Sequence, residues 1–215
     1  MATLDAVEAH HCINVLRCNN DEDIEIIDGK GTLYVGVLNI LNKKNILVRD
    51  LKIVEQHPNN HLLTIAVAPT KNNARIEWLV EKLVELGVKD IILLHTEHTE
   101  KTYTKIDRLQ QIIIAAAKQS KRLWLPTITD WHFKDVISTS NEYKYKYIAH
   151  CNINDTKYKT ELDRQSSTLV MIGPEGDFSS KEIQLAITNG YIPLDLGSLR
   201  LRTETAAMAV AAKFL

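Results

Sequence analysis

The chain is short of most features that mark specialised protein classes. Its 215 residues include only 3 cysteines, 5 prolines and 8 glycines. Three thiols (Cys12, Cys18, Cys151) cannot build a disulfide framework, which points to a reducing compartment, the cytoplasm. So little glycine and proline excludes a collagenous or linker-like chain. Long apolar runs are missing too. The longest stretch without a charge is Gln56–Thr70, and its first half is polar. A membrane helix needs about 18 apolar residues. The first eight residues carry Asp5 and Glu8 where a signal peptide needs a basic patch and an apolar stretch. No charge sign dominates: 26 basic against 27 acidic side chains give a net −1, which argues against a non-specific nucleic-acid coat. Neither glycine-rich phosphate-binding pattern occurs, which disfavours a P-loop nucleotidase and a Rossmann dehydrogenase. No His and Cys spacing fits a zinc site. His10, His11, Cys12 and Cys18 read as a polar surface plus small buried thiols, since adjacent histidines rarely converge on one metal.

What is present is ordinary globular composition, 45% hydrophobic and 25% charged. Charge is uneven along the chain. Residues 1–60 hold six basic and nine acidic side chains, and the rest hold twenty and eighteen. Between Lys101 and Arg122 six basic residues face one acid, Asp107.

The first sixty residues read as β structure. Ile24–Ile27 runs into Asp28-Gly29-Lys30-Gly31, a hairpin turn, and Thr32–Leu41 and Ile46–Glu55 follow as strands. Glu8–Arg17 reads as a short helix that carries Val15 and Leu16 to a core. Short strands with tight turns suggest a small barrel. His57-Pro58-Asn59-Asn60 is a linker signal. Beyond it the period changes. Leu62–Ala68 is a near-continuous apolar run, as a strand covered on both faces requires. Ile76, Leu79, Val80, Leu83 and Leu86 have helical spacing, with Gly87 at the C-cap. Trp78 falls near that apolar face and reads as core. Asp90–Leu94, Tyr147–Ala149, Thr168–Ile172 and Ile192–Leu196 are further strands. Ile106–Ala116 and Thr203–Phe214 are further helices. Ser179 with Glu182 forms a capping-box signal for a helix that Gly190 can end. Strand–helix alternation implies an α/β domain with a mainly parallel sheet.

Two loops draw attention because each follows a strand and precedes a helix. In a parallel sheet, ligands bind at the carboxyl ends of strands. The first is Ile172-Gly173-Pro174-Glu175-Gly176-Asp177-Phe178, whose two glycines and proline allow a sharp turn close to a ligand. It reads equally well as a plain strand–helix turn with Glu175 in solvent. The second is Leu196-Gly197-Ser198-Leu199-Arg200-Leu201-Arg202-Thr203-Glu204-Thr205-Ala206, with two arginines, a carboxylate and two hydroxyls at a helix start, where backbone N–H groups are free for anions. Its plain reading is Thr203 as an N-cap and solvated arginines.

Gly173-Pro174-Glu175-Gly176, followed by Leu196-Gly197-x-x-x-Leu201-Arg202-x-Glu204-Thr205-Ala206, resembles the RsmE family, the 16S ribosomal RNA uridine-N3 methyltransferases of the SPOUT superfamily. Three more motifs in the right order extend the likeness over most of the chain. His11-Cys12-x-x-Val15-Leu16-Arg17 with Asp28-Gly29-Lys30-Gly31 resembles the family's N-terminal barrel. Glu77…Lys82-x-x-Glu85-Leu86-Gly87-Val88 and Ala116-x-x-Gln119-Ser120-x-Arg122-x-x-x-Pro126 resemble its catalytic-domain helices. The commoner family form has glycine where Asp177 stands and arginine where His98 stands.

The resemblance implies a PUA-like, RNA-binding β-barrel over residues 1–58. It also implies a SPOUT-type α/β domain over 59–215 with a C-terminal trefoil knot that binds S-adenosyl-L-methionine. It further implies a homodimer that acts on 16S rRNA of the small ribosomal subunit, with neither metal nor membrane involved. Ile172, Gly173, Pro174, Gly176, Leu196, Gly197, Leu199, Leu201, Thr205 and Ala206 would shape the cofactor pocket. Arg202 would favour the uracil anion, Glu204 would orient Arg202 or accept the proton, and Glu175 is the other candidate base. Arg17, Lys118, Gln119, Lys121 and Arg122 would contact RNA, while Lys82 would pair with Glu81 or Glu85. A knotted methyltransferase acting on another RNA, and an RNA-binding or ribosome-assembly module without transferase activity, are the competing readings.

Overall fold

The computed structural model describes residues 1–42, 45–101, 104–151 and 164–214. The chain divides into two compact units, Met1–Asn59 and Asn60–Leu215.

In the first unit, β1 (Ala2–Thr3), β2 (Asp23–Ile27), β3 (Thr32–Asn42) and β4 (Asn45–Gln56) form an antiparallel sheet in the order β1-β4-β3-β2. Asp28 sets the β2–β3 turn, since its carboxylate accepts from the backbone N–H of Lys30 (2.7 Å) and Thr32 (3.0 Å). A short helix, α1 (Ala6–His10), is N-capped by Asp5 and runs into one wider turn, His11–Val15. That turn closes with Leu16 N–H donating to the His11 carbonyl, five residues back. Ala9 and Cys12, rather than Val15 and Leu16, therefore meet Leu38, Ile46 and Val48 in the core. Val15 and Leu16 are more than half exposed, contrary to the expectation from helical spacing.

Among the described residues the second unit holds a six-stranded, wholly parallel sheet. Its strands are β5 (Leu63–Val67), β6 (Asp90–His95), β7 (Thr127–His132), β8 (Tyr145–Ala149), β9 (Thr168–Ile172) and β10 (Ile192–Leu194), in the order β10-β8-β9-β5-β6-β7. The two central strands, β5 and β9, are buried at every residue, which explains their unbroken apolar runs. The helices are α2 (Asn73–Glu85), α3 (Ile106–Gln119), α4 (Phe133–Thr139), α5 (Ser180–Thr188) and α6 (Thr203–Phe214). Helix α2 buries Ile76, Leu79, Val80 and Leu83 as its period requires. It ends at Gly87, whose φ of +75° lies in the region glycine favours. Trp78, expected in the core, stands 44% exposed. Helix α5 opens with the expected capping box of Ser179 and Glu182.

Candidate functional site

The carboxyl ends of β8, β9 and β10 open into a cavity of about 620 Å³, a size that suits a nucleoside-sized ligand. Both loops singled out in the sequence line it. Ile172 comes from the end of β9, and Gly173, Pro174 and Glu175 from the loop after it. Leu196, Gly197, Leu199, Leu201 and Arg202 come from the loop before α6, and Ala206 from the helix itself. Two hydrogen bonds join the loops. The Thr203 hydroxyl donates to the Gly173 carbonyl (3.0 Å), and Arg200 Nη2 donates to the Glu175 carbonyl (2.9 Å). Thr203 is thus not a plain N-cap: its hydroxyl reaches a residue thirty positions earlier instead of its own helix.

Local backbone chemistry shapes the walls. Gly197 holds φ at +117°, a conformation costly for any side chain, and its N–H donates to the Asp195 carboxylate (2.8 Å). At Gly173 the constraint is packing, because a Cβ there would sit 3.1 Å from the Phe178 ring. The lining mixes aliphatic groups (Ile172, Leu194, Leu201) with arginine and carboxylate side chains.

A third wall escaped the sequence reading. Ala149, His150 and Cys151 at the end of β8 line the cavity, as does Asp177. Their sequence signal is only that they follow a buried strand. Burial pushes the His150 imidazole below the usual histidine range. Cys151 is also shifted, its thiol raised by burial first and then by the nearby Asp177 charge.

Several expected residues lie elsewhere. Gly176 does not line the cavity; it backs onto His98, whose Cβ is 3.2 Å from where a Gly176 Cβ would stand. Thr205 is exposed on α6, outside the cavity. Glu204 is 8% exposed and does not line the cavity; its Oε1 lies 3.7 Å from Arg75 Nε on α2. An acid in the first turn of α6 also complements the positive end of that helix.

Of the expected RNA contacts, Arg17 is exposed in the first unit at φ +56°. Lys118, Gln119 and Lys121 are exposed at the carboxyl end of α3. Arg122 is not at the surface. It is 8% exposed, and its guanidinium donates to the Val84 carbonyl (2.9 Å) and the Val88 carbonyl (2.7 Å). Val84 stands in the last turn of α2 and Val88 just beyond it, so Arg122 ties the end of α2 and the segment that follows it to the exit of α3. Burial pushes its pKa down to about 10. Lys82 bonds both Glu81 and Glu85 at 2.7 Å, as its spacing suggested.

Comparison with known proteins bears on this geometry. Residues 57–215 match a family model described as an RNA methyltransferase domain, and residues 4–51 match an RNA methyltransferase PUA domain. The ribosomal RNA small subunit methyltransferase E of Synechocystis is 28% identical over 218 residues, covering 98% of this chain and 71% of that protein. A crystal structure of a probable rRNA-methyltransferase from Porphyromonas gingivalis is 33% identical with a TM-score of 0.85, covering 98% of this chain and 90% of that one. The structure of ribosomal RNA small subunit methyltransferase E from Neisseria gonorrhoeae bound to S-adenosyl methionine is 27% identical with a TM-score of 0.80, covering 98% and 89%. With a family model matching most of its length and a cavity at the ends of three parallel strands, this chain belongs to the RNA methyltransferase family that includes the ribosomal RNA small subunit methyltransferase E proteins.

Proposed function

We propose that the protein transfers a methyl group from S-adenosylmethionine to N3 of a uridine in 16S rRNA, working as a cytoplasmic homodimer. The observation that carries this reading is the single cavity walled by the loops after β9 and before α6, closed by the Thr203–Gly173 hydrogen bond. The cofactor fits by size and by lining. Gly173, Gly197 and the aliphatic groups of Ile172 and Leu201 offer a thin, backbone-rich and partly apolar wall suited to a nucleoside. When bound, the cofactor supplies the activated methyl group.

The chain's own residues align the base and manage its charge. Alignment alone lowers a barrier by roughly 7–11 kcal/mol. Neutral uracil N3 is a poor nucleophile, and loss of its proton places negative charge on the flanking carbonyl oxygens. Arg202 lines the cavity at the start of α6, where a fixed cation favours that anion as an oxyanion hole does. Glu175 lines the same cavity and is the carboxylate we assign to the proton. Arg17 from the first unit, and Lys118, Gln119 and Lys121 from the second, supply phosphate and base contacts. The trefoil knot belongs to the same reading. β10 is an edge strand beside β8, yet Thr203 bonds the residue after β9, so the chain between them passes back across the end of β8.

Arg202→Ala tests the assignment. It should leave cofactor affinity, read by isothermal titration, within a few-fold, and cut methyl transfer by about 10²–10³-fold. Unchanged turnover removes Arg202 from the mechanism. Mass mapping of methylated nucleosides in rRNA from a deletion strain tests the target, and sedimentation tests the dimer.

A further inference from the structure

The loops after β6, β8 and β9 meet at one residue, Asp177. Its backbone sits at φ +63°, in the left-handed region, and closes a turn by donating to the Pro174 carbonyl (3.0 Å). Each oxygen of its carboxylate accepts from a different backbone N–H. Oδ1 takes Phe178 (2.8 Å) on its own loop, and Oδ2 takes Cys151 (2.9 Å), twenty-six residues away at the exit of β8. Its carbonyl accepts from His98 Nδ1 (2.9 Å) on the loop after β6. The neighbouring Glu97 N–H donates to Glu182 Oε1 (2.9 Å), whose other oxygen caps Ser179 (2.9 Å). The His98 loop is therefore docked at two points. Asp177 and Cys151 both line the cavity, on the side opposite in origin to the loop before α6.

We infer that Asp177 is a positioning residue of the cofactor cavity: its carboxylate and carbonyl hold the β8 exit and the β6 loop against the β9 loop, setting the width of the cavity before the ligand arrives. This rests on the reading of the cavity as an S-adenosylmethionine site. A preformed wall raises affinity because the ligand does not have to order it. The function of the carboxylate is a bidentate bond to backbone. A side chain that tolerates the left-handed region but has one acceptor oxygen can keep only one of the two N–H partners.

The test measures cofactor affinity by isothermal titration and amide hydrogen exchange on the full chain, for wild type, Asp177→Gly and Asp177→Asn. Glycine accepts the backbone angle and removes both bonds. It should weaken S-adenosylmethionine binding about tenfold and speed exchange at the Cys151 amide, while amides of β5 and β9 keep their protection. Asparagine, which keeps the angle and one bond, should fall between glycine and wild type in affinity. Wild-type affinity in the glycine variant overturns the inference. Loss of protection throughout β5 and β9 in both variants also overturns it, because the role is then structural. A wild-type protein that does not bind the cofactor overturns the reading of the cavity and this inference with it.

Discussion

The Thr203–Gly173 hydrogen bond is the contact whose removal is most informative. Thr203 is 5% exposed, and its hydroxyl supplies the side-chain donor that reaches the Gly173 carbonyl across the cavity wall. Thr203→Val keeps the shape and β-branching and replaces the donor with a methyl group. The lost bond, together with a carbonyl left without its donor, costs about 1–3 kcal/mol. For a domain of this size each kcal/mol moves Tm by about 2–4 °C, so Tm should fall by about 2–12 °C in a thermal melt. If the two loops separate as a result, cofactor Kd rises by at most the same free energy, a factor of about 5–150. Thr203→Ser restores the hydroxyl and should recover most of both quantities. A valine variant with wild-type Tm and wild-type Kd would refute the claim that this bond closes the cavity. So would a serine variant that falls as far as valine.

Gly197→Ala should destabilise by about 1–3 kcal/mol, because φ is +117° there. Among the described residues no atom beyond the two chain neighbours lies within 4 Å of the new Cβ, so the effect is torsional, and bulkier residues should cost little more in the same melt. Arg122→Met should lower the urea midpoint by the equivalent of about 3 kcal/mol through the loss of two charged hydrogen bonds. The salt dependence of RNA binding should stay unchanged, whereas Lys121→Ala should shallow it by about one counterion. His98 should titrate above the ordinary histidine range, because its Nδ1 donates to the Asp177 carbonyl and the protonated ring always carries that proton. Its contribution to stability is present below the unfolded value of about 6.5 and is lost as pH rises through the folded value. A proton NMR titration that puts His98 at or below the ordinary value would contradict the bond.

Legibility in the sequence followed burial. β5 and β9 could be read from Leu62–Ala68 and Thr168–Ile172 because both faces of each strand are covered. β7 could not be, since it is an edge strand in which only Ile128 is buried, and Thr127, Asp130 and His132 break any apolar run. The short helix α4 that follows is below the length at which periodicity is visible. In the first unit helical spacing fails to give the buried face because the wide turn at His11–Val15 rotates Val15 and Leu16 outward. The two cavity loops were legible as strand-to-helix turns, and their meeting depends on sheet order that local pattern does not encode. Glu204 and Arg122 show the limit of reading charge as surface. Each sits in a polar motif, yet one faces Arg75 and the other is drawn inward to the carbonyls of Val84 in α2 and Val88 just after it.

The wholly parallel pairing of β5 to β10 has a consequence for synthesis. No two strands bordering the cavity can pair through a tight hairpin, and each parallel pairing waits for an intervening crossover. Gly173 acquires its partner only when Thr203 has been made and has left the ribosomal exit tunnel. A nascent chain stalled before that point has a sheet but no closed cavity. It would therefore gain competence only as α6 docks.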